Sequence, residues 1–202
     1  MLLFRHPQFL SHDECLFVRK SMDLGAVEAA EVLKNGVRHN SRVRNASLVE
    51  PDEQVISRIE ARLETCRGAV GAFLHLVLGR REGPGFIRYP DGGYYKPHID
   101  CGADPQWPDA ARRGASIVIF LNSAGRADAE FDGGLLRMFP SDEAIEVIPE
   151  AGLLVAFPSD VLHEVTPVRG GTRDTIVDWF YVNGGATDRS TRAALIRGLD
   201  SR

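Results

Sequence analysis

The 202-residue chain carries 24 Lys and Arg against 28 Asp and Glu, a formal net charge of −4 with a pI near 5.9. That length suits one well-buried domain rather than two, and the acidic balance leaves no basic surplus for a phosphate backbone, so nucleic-acid binding is not expected. A composition of 44% hydrophobic and 26% charged residues matches a soluble globular protein. The longest apolar stretch, Val70 to Leu78, is interrupted by His75 and is far too short to span a membrane. With Arg5 and His6 arriving before any apolar core, the start of the chain has no leader pattern, and a cytoplasmic protein is expected. Cys15, Cys66 and Cys101 are odd in number and lack a C-x-x-C spacing, which predicts reduced, structural thiols.

The first third reads as helical. Ser11 with Glu14 has the form of a capping box, and Cys15, Leu16, Val18, Met22 and Val27 follow at roughly helical spacing, predicting a helix over 11–33. The segment Val37 to Glu50, with Arg38, Arg42 and Arg44, lacks periodicity and is expected to be a basic loop. Pro51 opens a second helix, with Val55, Ile56, Ile59 and Leu63 on one stripe. From about residue 70 short apolar runs alternate with Gly, Pro and Asp clusters, and strands are predicted at 73–78, 86–89, 117–121, 135–139, 145–148, 153–157 and 175–182. Short strands with frequent turns predict a mainly β fold, a sandwich or jelly roll, within a single domain over 1–202. Helical support is expected over 1–70, the β core over 71–183 and a terminal helix over 187–199. Whether that last helix covers the sheet or meets a second copy stays open, and the oligomeric state is unknown.

The segment RYPDGGYYKPHID, residues 88–100, carries the chemistry. Side chains two apart on a strand share a face, so His98 and Asp100 can converge on one ion with Ile99 packed behind them. His163, which follows the apolar strand over 153–157 and a Pro158-Ser159-Asp160 turn, can supply a third ligand. Two imidazoles and one carboxylate leave the opposite coordination positions open, the arrangement of non-haem Fe(II) oxygenases. Arg173, ten residues beyond His163, is expected on the adjacent strand of a hairpin, its planar fork of donors suited to a carboxylate. The stretches 101–115 and 122–134 border the expected cavity and are read either as lids or as plain solvated loops.

In their order, "FLSHDEC", "RYPDGGYYKPHID", "SIVIFLN", "FDGGLLRMFP", "GLLVAFPSDVLHEVTPVRGGTR" and "DWF" resemble the 2-oxoglutarate/Fe(II) dioxygenase superfamily, most closely its prolyl 4-hydroxylase-like branch. The resemblance implies a double-stranded β-helix, a cupin-like jelly roll with supporting helices. It implies His98, Asp100 and His163 as iron ligands, Arg173 as anchor of the distal carboxylate of 2-oxoglutarate, and Tyr89 as support for that carboxylate. Tyr95 and Trp179 match aromatic positions near the substrate, and Arg44 loosely matches an arginine of a substrate loop. The anchor is lysine in many prolyl 4-hydroxylases and arginine here, which keeps the activity and leaves the substrate open. The implied cofactors are Fe(II), 2-oxoglutarate as cosubstrate and O2, with ascorbate as an optional addition. The implied reaction hydroxylates an unactivated C–H bond, of a prolyl residue in a peptide or protein, with release of succinate and CO2. Asp100 favours hydroxylation, because related halogenases lack that carboxylate. The alternatives are a free amino acid or small natural product as substrate, and a non-catalytic cupin-like metal-binding module.

Overall fold

The computed structural model describes residues 3–30, 40–103, 107–125 and 129–183, so the terminal helix expected over 187–199 lies outside the described residues. In chain order these form β1 (Phe4–His6), α1 (His12–Leu24), β2 (Ala26–Ala29), β3 (Arg44–Asn45), β4 (Ser47–Glu50), α2 (Glu53–Leu74), β5 (Leu78–Arg81), β6 (Gly85–Tyr89) and β7 (Tyr94–His98). After a 3-10 turn (Pro108–Arg112) come β8 (Arg113–Phe120), β9 (Asp132–Gly133), β10 (Leu136–Met138), β11 (Ile145–Val147), β12 (Leu154–Pro158), β13 (His163–Val165), β14 (Val168–Arg169) and β15 (Arg173–Val182).

The strands pair antiparallel in a large sheet, β1-β12-β8-β15-β6-β4-β2 with β5 added to β15, and a smaller one, β11-β10-β13-β7-β3. Pleating of β15 sorts its side chains between two cores. Ile176 and Phe180 point to the helices, where they pack with Cys15, Val18 and Met22 of α1 and Ile59, Leu63 and Val70 of α2. Arg173, Val177 and Trp179 point the other way, into the space between the sheets. There one apolar cluster forms around Ile87, Tyr89, Phe131 and Val165 and another around Val118, Phe120, Met138, Val155 and Phe157. The result is the expected mainly β jelly roll with its helices against one sheet.

Several boundaries differ from expectation. The capping box is present, the Ser11 hydroxyl accepting from the Glu14 N–H and Glu14 accepting from the Ser11 N–H, but α1 ends at Leu24 instead of running on to 33. Gly25 turns the chain there, since a Cβ would lie 2.3 Å from the Glu50 carbonyl oxygen. Val27, expected on the helix, instead pairs with Val49 at the sheet edge. The presumed basic loop contains β3 and β4, and β4 pairs with β6. The strand expected over 73–78 is displaced: α2 continues to Leu74, and His75 caps it in the left-handed conformation at φ 54°. Its stripe of Val55, Ile59, Leu63, Cys66, Val70 and Leu74 is buried along its whole length, and a short apolar run does not reveal whether helix or strand buries it.

On the helix side of β15, the fully buried Asp174 carboxylate accepts from Arg19 of α1 at 3.0 Å and from Arg88 of β6 at 2.8 Å, bonding the first helix to the sheet. The three cysteines are free and buried, as expected. Among the described residues no helix is long and apolar enough to cross a membrane. Leu63, fully buried between α2 and the large sheet, tests this layer: Leu63→Ala should cost about 2–5 kcal/mol in urea denaturation.

Candidate active site

His98 closes β7, and β13 runs antiparallel to it so that His163 lies directly opposite His98. Two imidazoles 65 residues apart thus become cross-strand neighbours, their ring centroids 4.2 Å apart. The Nδ1 of His98 lies 2.9 Å from the Lys96 carbonyl and that of His163 lies 2.9 Å from the Val161 carbonyl. Each Nδ1–H donates to its carbonyl, which leaves each Nε2 as a lone-pair donor.

Asp100 sits just past the strand, in a turn fixed from several directions. The Asp100 and Cys101 N–H groups both donate to the Ser159 carbonyl at 3.0 Å, and Arg113 donates to the Asp100 carbonyl at 3.1 Å. The Ser116 hydroxyl donates to Asp100 Oδ2 at 2.6 Å and lies 3.0 Å from the Ser159 hydroxyl. Asp100 Oδ1 then faces His98 Nε2 at 3.6 Å, while His163 Nε2 is 3.6 Å from Oδ2. One ligand atom from each of the three residues falls within 4.8 Å of the others. Ile99, expected to pack behind the pair, is 49% exposed, because the strand has ended and the turn rolls its side chain outward.

Burial opposes charge on this cluster. It pushes the His163 imidazole down to about 4, against the pull of Asp100, so the ring is neutral at physiological pH. Burial alone would raise the Asp100 carboxyl as well. The two imidazoles and the Ser116 hydroxyl outweigh it and hold the group well below the usual carboxylate range. Two imidazole nitrogens and one anionic oxygen on one side of a cavity form a donor set that suits Fe(II).

That cavity, about 470 Å³, is lined by all three residues together with Tyr89, Arg173, Tyr95, Trp179 and Arg44, so the structure brings every sequence-predicted position to one space. Arg173 does not lie on a hairpin partner of β13. It projects from β15 of the large sheet, across the cavity from the β7–β13 ladder of the small one. The intervening β14 pairs with β9 and carries the chain between the sheets. Arg173 is 2% exposed, and burial draws its guanidinium down to about 10 despite the Tyr89 hydroxyl beside it. The guanidinium lies 4.9 Å from the ring centroid of Tyr89, its cross-strand partner, and 5.3 Å from that of Phe120. Nε has no hydrogen-bond partner, and no carboxylate among the described residues forms an ion pair with the group. A buried, unneutralised cation on a cavity wall fits a ligand that brings the carboxylate.

Part of the remaining wall is aromatic. Tyr95 stacks on His98 with centroids 3.5 Å apart and planes at 18°, and Arg44, opposite it in the β3–β7 ladder, covers the ring at 4.6 Å. Burial pushes the Tyr95 phenol up to about 12, so it remains protonated. Trp179 lies under the Arg113 guanidinium at 3.8 Å, and Arg113 is itself bonded to Glu82. Of the two stretches read as lids or solvated loops, 101–115 contributes Trp107 and Arg113 to the wall, whereas no described residue of 122–134 lines the cavity.

Sequence reasoning missed Ser116, Ser159, Arg113 and Glu82. Ser116 was discoverable: it shares the inward face of β8 with Val118 and Phe120, and a hydroxyl in that apolar alternation needs a buried partner.

The family model of the 2OG-Fe(II) oxygenase superfamily matches residues 84–181, which hold all three clustered residues and Arg173. Among solved structures, a prolyl-4-hydroxylase from Pseudomonas putida is 29% identical, with 91% of this chain and 94% of that chain covered at a TM-score of 0.68. A prolyl hydroxylase from Trichoplax adhaerens, solved with a hypoxia inducible factor oxygen degradation domain peptide fragment, is 20% identical over 96% of this chain and 86% of that one, at 0.70. A viral collagen prolyl hydroxylase from Paramecium Bursaria Chlorella virus-1, solved as a 2OG complex, shares the fold at 19% identity and 0.61, with 89% and 96% covered. No curated protein matches the chain. Jelly roll, donor cluster and the match over residues 84–181 together make the chain similar to the 2OG-Fe(II) oxygenases, a class of dioxygenase.

If the Ser116 hydroxyl orients the Asp100 carboxylate for an ion, Ser116→Ala should weaken Mn(II) or Co(II) binding by about 10–100-fold in calorimetric titration. The far-UV circular dichroism should not change.

Proposed function

We propose that the protein hydroxylates a prolyl residue in a peptide or protein, using Fe(II), 2-oxoglutarate and O2 and releasing succinate and CO2. His98, Asp100 and His163 hold the iron, and Arg173 with Tyr89 holds the far carboxylate of the cosubstrate. The observation that carries this reading is the buried Arg173 guanidinium, without an ion pair among the described residues, facing the same cavity as the three clustered donors.

Bound Fe(II) with its cosubstrate and O2 supplies the oxidising power for insertion into an unactivated C–H bond. The chain's own groups bind and orient. His98 and His163 present fixed nitrogens because their Nδ1–H groups are committed to carbonyls, and Ser116 sets the rotation of the Asp100 carboxylate. The Tyr89 and Phe120 rings keep water from Arg173, which strengthens its attraction for a carboxylate. Tyr95, Trp107 and Trp179 offer apolar walls suited to a pyrrolidine ring. A prolyl substrate is further supported by the solved neighbours, which are prolyl hydroxylases, one of them with a peptide bound.

The test is succinate formation by the Fe(II)-loaded protein with 2-oxoglutarate and a panel of proline-containing peptides, followed by mass spectrometry. Succinate together with a gain of one oxygen atom on proline is expected. Succinate with oxidation only of free amino acids or small molecules would replace the peptide substrate, and no succinate with authentic iron would sink the oxygenase reading of this site. His98→Ala should abolish turnover with circular dichroism unchanged. Arg173→Leu should raise the KM for 2-oxoglutarate by about 10–100-fold through loss of a charge-assisted pair.

A further inference from the structure

The antiparallel ladder between β8 and β15 ends at Phe120, opposite Thr175, and one further backbone bond follows, from the Leu121 N–H to the Asp174 carbonyl at 3.0 Å. The backbone of the first strand then leaves the sheet, and the side chain of Asn122 takes its place. Its Nδ2 donates to the Thr172 carbonyl at 2.7 Å, and its Oδ1 accepts from the Asp174 N–H at 3.0 Å. These are the residues on either side of Arg173. Asn122 is 1% exposed and lies outside the cavity wall, so it does not touch whatever occupies that space.

We propose that Asn122 is a positioning residue for the cosubstrate anchor. Its amide imitates the edge of one more strand residue, donor and acceptor in the right order, and holds 172–174 extended so that Arg173 projects into the cavity. The opposite edge of the same segment is held by the register of Arg173 with Tyr89 in β6. From within the layer the Gly134 backbone runs close to the side chain, where a Cβ would be 2.9 Å from Arg173 Cδ. A long side chain fixes a guanidinium only as well as its own backbone is fixed, and here one buried amide closes the side that the departing strand leaves open. This proposal rests on the reading of Arg173 as the anchor of 2-oxoglutarate.

The experiment uses the full chain loaded with Mn(II) and titrated with N-oxalylglycine, an unreactive mimic of 2-oxoglutarate. Wild type, Asn122→Ala and Asn122→Asp are compared, together with Mn(II) binding alone and steady-state kinetics. Asn122→Asp keeps the shape and the acceptor and loses the donor, and it carries the test should the alanine variant not fold. The expected result is about tenfold weaker binding of the mimic and a matching rise in the KM for 2-oxoglutarate. Mn(II) affinity and kcat at saturating cosubstrate should stay within about twofold, a split that general loosening of the fold would not give. Unaltered affinity for the mimic in the folded variants, with wild type binding it, overturns the role of Asn122 alone. A parallel loss of Mn(II) affinity overturns it too. Failure of the wild type to bind the mimic while it binds Mn(II) overturns the reading of Arg173, and this inference with it.

Discussion

The pairing of β13 with β7 is the contact on which the site depends. Opposed residues of antiparallel strands lie about 4.5–5.5 Å apart, so setting His163 against His98 suffices to put two ring nitrogens near a common point. The Asp100 turn then has only to present one carboxylate oxygen beside them. It does so with Ser159 bound to two consecutive N–H groups and Ser116 bound to the carboxylate. None of this needs a long loop to be ordered, because the donors and their supports sit on strands or within two residues of one.

A second constraint is electrostatic. The space between the sheets holds a buried cation and a buried anion with its two imidazoles, and burial penalises charge at both. The anion is stabilised from within the protein. The cation has only the neutral hydroxyls of Tyr89 and Thr175 as hydrogen-bond partners among the described residues, and its counter-charge is left to a ligand. The asymmetry suits an acidic cosubstrate that binds and leaves in each turnover, since a permanent counter-ion at Arg173 would compete with it.

Much of this was legible in the sequence. The spacing of His98 and Asp100, a histidine after an apolar strand and an arginine ten residues on were enough to pick out side chains that share one cavity, and the Ser11–Glu14 capping box and the start of α2 were equally plain. The route of the chain was not legible. That Arg173 reaches the cavity from the opposite sheet follows from β14 pairing with β9, two short strands with no periodicity to betray them. The short strands β1 to β4 were lost for the same reason, being two to four residues long. The far end of α2 was misread because Val70 to Leu78 is apolar apart from His75, and burial on a helix and in a strand look alike over so short a run. Asn122 acts through two hydrogen bonds to the backbone on either side of Arg173, which only the strand register reveals.

The two faces of β15 serve unrelated ends: odd positions furnish the cavity, while even positions bind the helices through Asp174, Ile176 and Phe180. Deleting or inserting one residue in this strand would trade the two sets, turning a carboxylate toward the proposed cosubstrate and a guanidinium into the hydrocarbon layer beneath α1 and α2. Divergence at this strand is therefore confined to replacing one side chain by another, while length variation must be absorbed by the connections on either side of it.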